Sequence, residues 1–91
     1  MNNAELYAFI QGAWSKTEII TSGNTQTIYQ GNCANSEGSE NAPIWCIKKT
    51  VITTNSSADS QTQVIVQQFA NGNMQFNNVW NDRANLIYKY L

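Results

Sequence analysis

The chain contains no histidine, so proton transfer near neutral pH would fall to a carboxylate or lysine with a strongly shifted pKa. It has one proline and two cysteines in 91 residues. A disulfide framework is therefore excluded, and a zinc site of Cys and His ligands with it. Charge is scarce as well: 12% of residues are charged and the net charge is −1. Five basic residues, with only Lys48 and Lys49 adjacent, make no phosphate-binding stripe, so neither nucleic acid nor an acidic membrane is an expected partner. No window approaches the ~18 apolar residues of a membrane span, and the N-terminus lacks a basic leader region.

Uncharged polar residues fill the space left by charge. Asn, Gln, Ser and Thr run through the chain, while Val, Ile, Trp, Phe and Tyr recur at regular intervals, the mark of a folded domain. Ninety-one residues make a single domain, 1–91, whose small core gains from self-association or a partner.

The densest β-forming run is Ile44–Thr54, which has β-branched and aromatic residues and no Gly or Pro. A polar loop, Asn55–Ser60, separates it from a second run, Thr62–Phe69, and the two predict a central hairpin over 44–69. Upstream, Thr17–Thr21 and Thr25–Gln30 flank Ser22-Gly23-Asn24 as a first hairpin over 17–30. Residues 31–43 carry no apolar periodicity and read as a long loop, either a flexible connection or a binding element. At the N-terminus, Leu6, Ile10 and Trp14 share one helical stripe behind a possible Asn3 cap. This favours a short helix over 1–14, with an extended arm as the alternative.

Residues 70–91 begin with the turn Ala70-Asn71-Gly72-Asn73. Met74-Gln75-Phe76 could extend from it. A short helical turn follows over Asn77–Arg83, then a final strand Leu86–Leu91 with Tyr88 and Tyr90 on one face. The expected fold is mainly β: a small antiparallel sheet or a compact sandwich or barrel of hairpins, with a short N-terminal helix.

Candidate chemistry is thin. Glu37 and Glu40 share a loop but lack calcium-loop spacing, and no Gly-x-Ser-x-Gly, Ser-x-x-Lys or phosphate-loop pattern occurs. No enzyme, metal or cofactor is expected. Cys46 reads as a small buried hydrophobe and Cys33 as a loop residue, with a bridge between them left open. Lys48 and Lys49 point to opposite faces of one strand, so one should meet solvent and the other lie over apolar neighbours.

The cluster Trp80-Asn81-Asp82-Arg83 reads first as structural. Trp80 would plug the end of the core, and Arg83 would tie down the loop by bonding Asp82 or a backbone carbonyl. Trp14, Tyr29, Trp45, Tyr88 and Tyr90 could instead form a sugar-stacking surface or a subunit interface, though most should be core. The aromatic-rich ends, Tyr7, Phe9 and Trp14 at one and Tyr88 and Tyr90 at the other, are the expected interface residues.

Four segments occur in a familiar order. They are Tyr29-Gln30-Gly31, Trp45-Cys46-Ile47-Lys48-Lys49, Ala70-Asn71-Gly72-Asn73, and Phe76 followed by Trp80, Arg83, Leu86 and Tyr88. Over Tyr29–Tyr90 the chain thereby resembles a group of small proteins of tailed bacteriophages and prophages. That resemblance implies a virion or tail-associated context: a non-enzymatic structural component, made in the bacterial cytoplasm and partnered with itself or other virion proteins. A small receptor- or glycan-binding module, using surface aromatics and the 31–43 loop, is the alternative.

Overall fold

A computed structural model describes residues 14–35 and 37–91. It is built from six antiparallel strands: β1 (Lys16–Ser22), β2 (Thr25–Cys33), β3 (Pro43–Ser56), β4 (Gln61–Ala70), β5 (Asn78–Val79) and β6 (Tyr88–Lys89). A 3₁₀ helix, Trp80–Asn85, lies between the last two. The strands form one open sheet in the order β1-β2-β3-β4-β6, with β5 joined to β3. The mainly β character and antiparallel pairing are as the sequence predicts, in the form of a sheet and not a sandwich or barrel. The expected N-terminal helix lies outside the described residues.

The long central hairpin is offset from its expected pairing. β4 covers only the later part of β3, from Lys48 opposite Phe69 to Ser56 opposite Gln61. The start of β3 pairs instead with β5, Pro43 opposite Val79 and Trp45 opposite Asn78. The chain leaves β4 through Asn71 and Gly72, both at positive φ as an Asn-Gly turn requires, and returns to fill the edge that β4 vacated. Met74, Gln75 and Phe76 belong to that connection and form no strand.

Two other boundaries move. The long loop shrinks to residues 34–42 because β2 runs on through Gly31, Asn32 and Cys33, while Pro43 opens β3. Pro tolerates that first position, since its missing N–H falls where the ladder begins. The final strand is two residues long, leaving Tyr90 beyond it.

Alternation along the strands sorts side chains onto two faces. The registers put Tyr29, Gly31, Cys33, Trp45, Ile47 and Lys49 on one face, together with Glu18 and Ala70. Trp80 packs here on Tyr29, Trp45, Ile47 and Ala70, with Leu86 and Tyr88 around them, and this is the hydrophobic core. Opposite it, Gln30, Cys46, Lys48 and Thr50 are also buried, and Trp14 lies over Lys48. The other end of the sheet differs. Ile19, Ile20, Val64 and Ile65 stay 59%, 48%, 50% and 56% exposed. Among the described residues no helix is long and apolar enough to cross a membrane.

Candidate functional site

The most organised side-chain cluster is the cap on the core end of the sheet. It starts from Gly31. A Cβ there would lie 2.6 and 2.7 Å from the Trp80 ring and 2.9 Å from that of Trp45. Glycine therefore lets both indoles settle onto the β2 backbone. The two rings tilt against each other with centroids 5.3 Å apart. Trp45 Nε1 donates to the Ser39 carbonyl at 2.9 Å, which satisfies its polar atom and draws the 34–42 loop over the cluster.

Arg83 holds the cap to the edge of the sheet. Its Nε and Nη2 donate to the two Glu18 carboxylate oxygens at 3.0 and 2.8 Å, and Nη1 donates to the Trp80 carbonyl at 3.1 Å. Its guanidinium also lies 4.8 Å from the Trp80 ring centroid. The forked hydrogen bond from Arg83 holds the Glu18 carboxyl below its ordinary range. The acid that receives Arg83 is thus Glu18, 65 residues away, and not the exposed Asp82 that sequence proximity suggests.

Asparagines complete the joint. Asn78 is buried, and its amide donates to the Trp45 carbonyl at 3.1 Å while its oxygen accepts from Asn71 Nδ2 at 3.1 Å. Asn81 N–H donates to the Glu40 carbonyl at 3.0 Å, and Lys16 pairs with Glu40. One short stretch, Asn78–Arg83, consequently ties β1, β3, the 34–42 loop and the turn after β4 together.

The remaining candidates fall as follows. Tyr88 packs on Tyr29 with centroids 6.1 Å apart and donates its hydroxyl to the Arg83 carbonyl at 2.7 Å; burial pushes its pKa up. Tyr90 is 68% exposed. Trp14 is half-buried beside Lys48, and Tyr7 and Phe9 lie outside the described residues. Neither lysine of the pair simply meets solvent. Lys48 is buried over Trp14, and Lys49 is half-buried between the Tyr29 and Tyr88 rings. Burial lowers the Lys48 pKa and raises that of Cys46.

Cys33 sits in β2 opposite Trp45, and Cys46 opposite Asn32. The two thiols project to different faces and are free. Among the described residues no group of three or more acidic or sulfur ligands is placed to hold a metal ion. Among the described residues no buried side-chain polar atom lacks a hydrogen-bond partner, so the cap works as a joint.

No protein-family model matches the sequence, and neither a curated protein nor a solved structure is significantly similar to it.

Proposed function

We propose that this chain is a non-enzymatic structural subunit of a tailed-phage particle, made in the bacterial cytoplasm and built into the virion against copies of itself or a larger virion protein. The observation that carries this reading is the unevenness of the sheet. One end is closed by indoles and a forked ion pair, while the other leaves Ile19, Ile20, Val64 and Ile65 half or more exposed. Exposed β-branched residues gathered on one part of a small domain are typical of a surface that a partner covers. The phage-type pattern of Gly31, Trp45, Trp80 and Arg83 adds support of a different kind, because those residues build the rigid end that such a subunit needs.

The glycan- or receptor-binding alternative has less to stand on. Stacking a sugar needs an open aromatic face, and of Trp14, Tyr29, Trp45, Tyr88 and Tyr90 two are at most 6% exposed, two are half-buried and Tyr90 alone is open. The 34–42 loop, its other element, is drawn onto the cap through Ser39 and Glu40.

Sedimentation of the full chain over a wide concentration range, alone and with purified tail and head proteins of a tailed phage, tests the proposal. Concentration-dependent assembly or co-sedimentation is expected. A chain that stays monomeric and ignores every virion protein overturns it.

A further inference from the structure

Resting on that reading, we infer that copies of this chain join edge to edge, β1 of one pairing antiparallel with the free end of β4 in the next, so that one sheet continues through the assembly.

Strand direction comes first. β1 to β4 alternate, so the two outer strands of this four-stranded meander run in opposite directions. A copy placed alongside in the same orientation therefore sets its β4 against a neighbouring β1 in the antiparallel sense, the better-bonded arrangement. Among the described residues both edges are open. β1 pairs only with β2, and β6 covers β4 only at Phe69 and Ala70, leaving Gln61–Gln68 bare on that side.

The edges also lack the usual guards against such pairing, which are lysine, proline and bulges. β4 has no charged residue at all. The two charges of β1 are already engaged within the protomer, Lys16 with Glu40 and Glu18 with Arg83. Neither the β1–β2 nor the β3–β4 ladder is interrupted by a bulge.

Side-chain matching then selects a register. Ile19 and Ile65 project from one face of the sheet, Ile20 and Val64 from the other. Setting Ile20 opposite Val64 of the next copy also sets Ile19 opposite Ile65, so one register covers four exposed apolar side chains on both faces. It stops short of Phe69, where β6 occupies the edge.

Such a contact spans roughly six residues per strand, about 20 Å. A single strand edge of that length is a small contact beside the roughly 1,200 Å² buried by a stable pairwise complex. Each protomer has two different edges, so the contact repeats head to tail and gains its strength from a closed ring or a growing filament.

Two variants at these exposed positions test the pairing, Ile20→Lys and Val64→Glu. Each alone puts a charge opposite an apolar residue at every contact and should weaken assembly about tenfold or more, with the melting of the dilute chain unchanged. Mixed in equal amounts they should assemble again. Alternating copies then meet either as lysine against glutamate or as the two native residues. Sedimentation of wild type, each variant and the mixture reads all four cases.

Recovery only in the mixture is the expected result. If both variants assemble like wild type, or the mixture fails to recover, the edge pairing is overturned while the structural-subunit reading stands. A wild-type chain that is monomeric throughout also overturns it, leaving docking on a larger virion protein as the form of that reading.

Discussion

The two ends of this sheet share four strands, yet one is closed and the other open. At the closed end Gly31 admits two indoles, and Trp80 and Ile47 are buried to 1% and 0% exposure. At the open end the same strands display isoleucine and valine to solvent on both faces. The difference comes from what the chain does after β4. Residues 71–91 fold back over one end only, and the long hairpin arms run past their reach. A sheet needs something packed against it to be stable, so the closed end carries the fold, and the open end is where the proposed association would act.

Breaking the closed end should have the largest effect. Trp80→Ala removes the largest fully buried side chain and should cost about 3–5 kcal/mol, leaving a chain of this size largely unfolded by thermal melting. Gly31→Ala pushes a methyl against two rings that other contacts hold in place. It should cost about 1–3 kcal/mol, seen as a lower melting temperature with the sheet retained.

The Arg83–Glu18 pair should matter less, because the Glu18 carboxylate remains partly in water. Glu18→Gln is expected to cost roughly 0.5–1 kcal/mol. Folding depresses the Glu18 pKa below its ordinary 4.5, so the contribution is present above that value and is lost as pH falls through the folded one. Wild type should therefore lose stability in acid more steeply than Glu18→Gln, in urea titrations at pH 7 and below pH 4. At the open end, Ile20→Lys and Val64→Glu should leave the dilute chain's melting within about 0.5 kcal/mol of wild type, sharpening the contrast between the two ends.

Much of the sheet was legible because Ile44–Thr54 and Thr62–Phe69 are runs rich in β-branched residues without Gly or Pro. Gly31 misled, since it opens a stretch without apolar periodicity that reads as a loop, whereas here it lies in the strand and makes room for Trp80. The β3–β5 pairing was hidden because Asn77–Val79 has no alternation to announce a strand. Trp80 and Arg83 stand out by residue type, but Glu18 does not, since no local signal links residues so far apart in sequence. The open end was equally invisible: Ile19, Ile20, Val64 and Ile65 carry the same apolar pattern as core positions, and among the described residues it is the path of 71–91 that sets the two ends apart.

Amide hydrogen exchange at low and high protein concentration compares the two ends within one molecule. The division of labour described above predicts that amides around Ile47 and Trp45 are strongly protected at both concentrations. Those of the outer edges, in β1 and the first half of β4, should gain protection only at high concentration. Equal protection of the edges and the core at both concentrations would contradict it.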